Sequence, residues 1–168
     1  MKGKEEDKKD EKTCLFFVSD YHFEMISLPY ISKNLKENKN VVIITENNLE
    51  NSVDKVLENI NLQNKEKEKI KAIDWKNNNK EKIEKLKEEK FKNKNITNDN
   101  KETLIFIKGN EDYIKNVNKN IKQNLTNLST ENVKIVDCYD VNGIQNSIGD
   151  IVKNYNKILS TAGTEKLI

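Results

Sequence analysis

Side chains that could bind a ligand stand at the ends of several short apolar runs. They are Asp20, Tyr21 and His22 after TCLFFV, Glu46 after VVIIT, Asp74 and Trp75 in IKAIDW, and Tyr139 and Asp140 in VKIVDCYD. If these runs are parallel strands, their carboxyl ends meet at one edge of a sheet, where open α/β sheets bind their ligands. These eight residues are therefore the candidate ligand-binding residues.

Each of these residue types has a functional and a structural interpretation. The four carboxylates could converge on a magnesium ion, or they could cap the helices that follow the strands. His22 could exchange a proton or accept a phosphate, or it could lie at the surface as part of a helix cap. The ring of Trp75 could stack on a ligand, although packing in the core or at an interface is the favoured interpretation.

The motifs that hold a phosphate or activate a nucleophile are missing from the sequence. The turn after the first apolar run reads SDYHF, and none of the 5 glycines falls in a G-x-x-x-x-G-K-[ST] or G-x-G-x-x-G pattern. There is no G-x-S-x-G elbow, and 1 histidine limits both triads and histidine-based metal sites. We therefore predict no catalytic residue, no metal site and no cofactor, and a protein that is not an enzyme.

The elements that must position these residues alternate along the chain. Short apolar runs predict strands, namely TCLFFV, VVIIT, IKAIDW, TLIFIK, VKIVDCYD and a short KILSTA. Between them lie stretches with apolar residues at helical spacing. This alternation predicts an α/β fold, a three-layer α/β/α sandwich with a mainly parallel sheet of five or six strands.

The predicted helices differ in how clearly they are marked. HFEMISLPYISKNLKEN should be kinked by Pro29 or begin there, and NNLENSVDKVLENI has a cap at Asn47 or Asn48. EDYIKNVNKNIKQNL and VNGIQNSIGDIVKNY each have one apolar face, whereas a helix from Lys80 to Phe91 should be mostly exposed.

The composition of the chain limits how many domains it can form and indicates its cellular compartment. The 168 residues fit one domain, 13–168, with a polar, lysine-rich insertion around 76–102 and a charged tail at 1–12 that we expect to be disordered. Cys14 and Cys138 lie in apolar runs without histidine or cysteine neighbours, as is typical of reduced core thiols. No run is long enough to span a membrane. We therefore expect a cytoplasmic protein.

The distribution of charge argues against a nucleic-acid partner. There are 30 Lys+Arg against 28 Asp+Glu, the two signs are interleaved, and every basic residue is a lysine. Lysine cannot form the bidentate fork with which arginine recognises phosphate or guanine. We therefore predict neither a nucleic-acid nor a membrane partner.

Three stretches resemble a known family. They are CLFFVSDYHFEMISLPYISKNLKENKNVVIITENN, NLENSVDKVLENI with IKAIDW, and VKIVDCYDVNGIQNSIGDIVKNYNKILSTAG, in which Cys138-Tyr139-Asp140 is the most particular part. Together they resemble the methanogen/methylotroph sensory domain, MEDS, which looks like a RecA-like or KaiC-like core without its P-loop. Thr13 stands where the family often has a histidine, and the family's usual arginines are absent.

The resemblance implies a sensory input domain with a small organic ligand and a role in signal transduction. A module of this kind would act through a signalling protein partner or a homodimer. Two alternatives remain open at this stage. One is a structural dimerisation domain without a ligand, and the other is an enzyme of unrecognised type that uses the carboxylates with magnesium.

Overall fold

A six-stranded sheet forms the middle layer of the structure, a computed structural model that describes residues 12–95, 101–124 and 133–167. Its strands are β1 (Thr13–Phe17), β2 (Asn40–Thr45), β3 (Thr103–Gly109), β4 (Val133–Asp140), β5 (Lys157–Ser160) and β6 (Gly163–Lys166). The strand order is β2-β3-β4-β1-β5-β6, and only the β5-β6 pair is antiparallel. The predicted mainly parallel sheet is confirmed.

Helices cover both faces of the sheet. One face carries α1 (Asp20–Lys36), α2 (Glu50–Asn59) and α3 (Asn64–Lys71), and the other carries α4 (Asn79–Asn95), α5 (Glu111–Asn124) and α6 (Ile148–Val152). Each helix layer has its own apolar core, with Phe23 and Leu57 in the first and Ile114 and Ile151 in the second. This is the predicted three-layer α/β/α sandwich, and it explains why β3 is buried along its whole length.

α1 begins at Asp20 and runs through Pro29. The Ser19 hydroxyl accepts the His22 backbone N–H at 3.1 Å, which is the hydrogen bond expected of an N-cap. Pro29 therefore does not mark the start of this helix. At the start of α2, Asn48 accepts the Glu50 N–H, whereas Asn47 points elsewhere.

The prediction of a strand at IKAIDW is wrong. Ile70 and Lys71 complete α3, and the chain then turns. The backbone N–H groups of Ala72 and Ile73 bond to Glu68 and Ile70, and the indole N–H of Trp75 bonds to the Ile70 carbonyl at 2.9 Å. These local bonds use groups that a strand would offer to a neighbouring strand.

The helix predicted from VNGIQNSIGDIVKNY is interrupted. A 3₁₀ turn at Val141–Gly143 is separated from the short α6. The Glu111 carboxylate accepts the N–H groups of Gln145 and Asn146, and this contact holds the linking segment out of a helix. Strand β6 was not predicted, since GTEK has no apolar pattern.

Residues 76–102 include α4, whose first half packs on the sheet. Ile83 and Leu86 are buried in the second core, and Lys82 is buried beside them. This half of the helix is thus less exposed than predicted. The predicted tail lies outside the described residues except for Lys12, as does part of the polar loop before β3. No helix of the described part has the length and apolarity that a membrane crossing requires.

Both cysteines are buried and free, as predicted for core thiols. Burial, assisted by the nearby Asp137 carboxylate, raises the pKa of Cys14 to about 12, and burial likewise raises the pKa of Cys138. The two side chains belong to different cores on opposite faces of the sheet.

We predict that neither thiol reacts with a disulfide reagent such as DTNB while the protein is folded, because the attacking species is the thiolate. Both should react in denaturant, and absorbance at neutral pH measures the extent. Prompt reaction of either thiol in the native protein would contradict the buried placement.

Candidate functional site

The site is built around Lys108, the penultimate residue of β3. Its side chain is only 4 % exposed, and its ammonium lies 4.7 Å from the centre of the Phe17 ring and 5.4 Å from that of Phe23. A buried charge must be paired, and an aromatic face supplies part of that compensation. The position of Lys108 therefore requires acceptors at the carboxyl edge of the sheet.

Asp20 and Asn47 supply these acceptors. The Lys108 ammonium donates to Asp20 Oδ1 at 2.8 Å and to Asn47 Oδ1 at 3.0 Å. The Asn47 amide in turn donates to Asp20 Oδ2 at 2.9 Å. These three residues, the Lys108 cluster, join the start of α1, the end of β2 and the end of β3.

The cluster lies next to the point where the sheet's connections diverge. β1 and β4 are neighbours, yet β1 leads to α1 on one face and β4 leads to α6 on the other. The crevice outside such a divergence is where open α/β sheets bind ligands. Asp20 stands at this crevice with its side chain 40 % exposed.

Glu46 forms a second contact at the same edge. Its Oε1 accepts the Asn110 N–H at 2.7 Å, and a Cβ atom at position 109 would lie 2.5 Å from that oxygen. A side chain at this position would also lie 2.6 Å from the Tyr113 ring, so it would displace both neighbours. Glu46 thus fixes the turn after β3.

The candidate carboxylates do not converge. Asp140 caps the 3₁₀ turn by accepting the Asn142 N–H, and Asp74 accepts the Lys76 N–H beyond the edge of β2. Within the described residues, no group of three or more His, Cys, Asp or Glu side chains could hold a metal ion. The hypothesis of a four-carboxylate magnesium site is therefore wrong for the described part of the chain.

Two of the candidate aromatic residues are core residues. Trp75 is 3 % exposed, and Tyr139 is 6 % exposed and stacks on Phe16 with ring centres 5.6 Å apart. The Tyr139 hydroxyl shares a hydrogen bond with Tyr155, which donates to Asp137 at 2.6 Å. The structure thus places Trp75 and Tyr139 in the core, with the indole N–H and the phenol hydroxyl already hydrogen-bonded.

Tyr21 and His22 remain near the crevice. Tyr21 is 62 % exposed and Val18 60 %, an unusual exposure for large apolar groups directly after a buried strand. His22 Nδ1 accepts the Val18 N–H at 3.0 Å, so the histidine also shapes the turn, as in the helix-cap interpretation.

Glu24 is a buried acid that the sequence analysis missed. It is fully buried on α1, its Oε1 accepts the Ser52 hydroxyl at 2.8 Å, and its Oε2 has no hydrogen-bond partner among the residues that the structure describes. Burial raises the pKa of this carboxyl to about 7, with Ser52 and Lys108 acting against the shift. The signal was present, because Glu24 lies four residues before Leu28 on the apolar stripe of the helix.

A groove lies elsewhere on the protein. It has a volume of about 470 Å³ and follows β2 between α3 and α4, on the side remote from β3. Asp74 is the one candidate residue that lines it. The groove is therefore a feature separate from the charged carboxyl-edge site.

The two charged members of the Lys108 cluster should respond differently to truncation. We predict that Asp20→Ala destabilises the protein by about 1–2 kcal/mol, since it leaves a buried ammonium with less compensation. Lys108→Met should change the stability by less than about 1 kcal/mol, because a thioether suits the Phe17 and Phe23 surroundings and Asp20 can be hydrated. Urea unfolding measures both, and equal losses would contradict the asymmetry.

Glu24 should give the protein a recognisable pH dependence. Its pKa is raised on folding, so its favourable contribution is complete below about pH 4.5 and is lost as the pH rises through about 7. We predict that Glu24→Gln matches the wild type at the acidic end and exceeds its stability by about 2–3 kcal/mol above about pH 8. A constant difference in the free energy of unfolding across this range would contradict the placement.

Comparisons with known proteins leave the function to be argued from this geometry. No protein-family model, curated protein or solved structure matches the chain.

Proposed function

We propose that the chain is a non-catalytic sensory or regulatory module that binds a small organic molecule at the carboxyl edge of the sheet. The single observation that carries the proposal is the Lys108 cluster. It gathers charged and polar side chains from three separate elements at the carboxyl edge of the sheet, next to the crevice between β1 and β4, and the Asp20 side chain is 40 % exposed.

The cluster indicates which chemistry a ligand needs. The Lys108 donors are directed at Asp20, Asn47 and the aromatic rings, so the ammonium has little capacity left for an anion. Asp20 has further acceptor sites and is 40 % exposed. Val18 and Tyr21 offer apolar surface beside it. These groups suit a small amine or alcohol with a short apolar part.

The sequence supports the absence of catalysis and the sensory role. The SDYHF turn stands where a RecA-like ATPase would wrap a phosphate, and it is acidic instead of glycine-rich. We therefore propose membership of the MEDS family on the strength of the resemblance. The two buried, unpaired thiols fit the proposed cytoplasmic location. A module of this kind would signal by binding a partner protein.

Thermal unfolding in the presence of ethanolamine, ethylamine, propanol and alanine tests the proposal. A ligand at ten times its Kd stabilises the native state by about 1.4 kcal/mol, which raises the Tm by about 3–6 °C at this chain length. We predict such a rise with at least one of the amine or alcohol probes, and its loss in Asp20→Asn.

Asp54→Asn is the matched control, because Asp54 is an exposed carboxylate on α2. It should keep the full rise in Tm. The proposal fails if none of the probes raises the Tm of the wild type, or if Asp20→Asn and Asp54→Asn respond alike.

A further inference from the structure

In the part of the chain that the structure describes, no strand pairs with the outer edge of β2. The N–H groups of Asn40 and Glu46 donate to carbonyls on the β3 side, so the even-numbered residues of β2 pair with β3. In a parallel ladder the odd-numbered residues then direct their N–H and C=O groups outward. These residues are Val41, Ile43 and Thr45.

Side chains from α4 replace part of the missing strand. The Asn79 amide accepts the Thr45 N–H at 3.3 Å and donates to the Thr45 carbonyl at 2.9 Å, as a strand residue would. The Lys82 ammonium donates to the Ile43 carbonyl at 2.6 Å. Among the described residues, nothing bonds to the outward N–H and C=O of Val41 or to the N–H of Ile43. The edge is closed at one end and open at the other.

The groove beside this open edge is basic. It is lined by five lysines, Lys39, Lys69, Lys82, Lys85 and Lys101, and by one carboxylate, Asp74. Lys39 is paired with Glu37 and Glu102, whereas Lys69, Lys85 and Lys101 make no ion pair with another described residue. Lysines stand on both walls, with Lys69 on α3 and Lys85 on α4.

Apolar surface lines the bottom of the same groove. Leu35, Ile73 and Leu86 reach it from both helix layers, and Val41 and Ile43 come from the edge strand itself. Successive side chains of an extended peptide point alternately to the two faces of a sheet. Each face of an added strand would meet both apolar surface and a lysine.

We infer that this groove binds an extended, acidic segment of a partner protein as an additional strand beside β2. The open groups of Val41 and Ile43 supply main-chain hydrogen bonds, and the lysines supply specificity for Glu and Asp. Lys82 already donates to the carbonyls of Ile43, Asp74 and Lys76. Lys69, Lys85 and Lys101 are therefore the lysines that would pair with the carboxylates of the peptide. The site is distinct from the Lys108 cluster and does not depend on the proposed small-molecule function.

Charge selects this occupant over a second copy of the chain. Two β2 edges brought together would place lysine-lined walls against each other, which disfavours pairing. A nucleic acid would also meet the lysines, but it could not use the outward N–H and C=O groups of a strand. The edge and the charge together favour an acidic peptide.

Binding of a fluorescent heptapeptide of sequence VEEVEEV to the full chain tests this inference, with anisotropy as the first readout. A peptide of the same sequence with methylated backbone nitrogens keeps the charge but cannot pair as a strand. We expect the unmethylated peptide to bind at least about tenfold more tightly, and to slow hydrogen exchange at the Val41 and Ile43 amides.

Paired charge reversals locate the binding surface. Lys69→Glu with Lys85→Glu should weaken the peptide about tenfold, because each exposed charge contributes modestly and reversal adds repulsion. Lys55→Glu with Lys119→Glu, exposed lysines on α2 and α5, should leave binding unchanged.

Several results would overturn the inference. They are equal binding of the two peptides, equal loss in both reversal pairs, or no slowing of exchange at Val41 and Ile43. Tighter, groove-dependent binding of an oligo-dT strand would assign the surface to nucleic acid instead. A dimer in sedimentation that the Lys69 and Lys85 reversals dissociate would assign it to a second copy.

Discussion

The rest of the site follows from the need to compensate one buried charge. β3 is covered on both faces, so the Lys108 side chain cannot reach bulk water and its ammonium must find partners at the carboxyl edge. Asp20 and Asn47 meet that need from two other elements. The same requirement explains why Asn47 does not cap α2, since its amide is held between Lys108 and Asp20. One ammonium thereby fixes how three loops approach each other.

A second constraint is that the outward N–H and C=O groups of an edge strand must be hydrogen-bonded or shielded from other strands. The segment before Trp75 does not form the neighbouring strand, because its N–H groups are used within the end of α3. α4 partly compensates through Asn79 and Lys82. Burial lowers the pKa of Lys82, because the ammonium is held at the strand edge away from water, and the nearby Asp74 carboxylate acts against this shift. The groove is the part of the edge that this compensation leaves open.

The elements most readily predicted from sequence were those whose structure follows from their own residues and not from a contact with another segment. TLIFIK and VVIIT are buried runs, and they became β3 and β2. IKAIDW has a similar composition, but its structure depends on the indole of Trp75 reaching back to the Ile70 carbonyl, a contact that periodicity does not encode. The break before α6 likewise depends on Glu111, more than thirty residues away in the chain.

The sequence indicated at which edge of the sheet a site could lie more clearly than it indicated which residues form it. The rule about strand ends selected Asp20, which pairs with Lys108, but it also selected Trp75 and Tyr139, which are buried in the core. In the sequence, Lys108 is the one charged residue of TLIFIK and stands at its end. Its role could not be assigned, because pairing with Asp20 and Asn47 depends on a strand order that sequence does not specify.

The two proposed binding surfaces share β2. The Thr45 hydroxyl donates to the Asn47 carbonyl at 3.0 Å, and its backbone is bonded to Asn79, so this residue touches both the Lys108 cluster and the closed end of the strand edge. A ligand amine at Asp20 would compete with Asn47 for that carboxylate. The two surfaces are coupled only if this competition for Asp20 changes the conformation at the end of β2. A ligand that binds two conformations with equal affinity does not shift the equilibrium between them. Thr45 is the residue through which such a shift would have to pass, since its backbone belongs to the edge and its hydroxyl to the cluster.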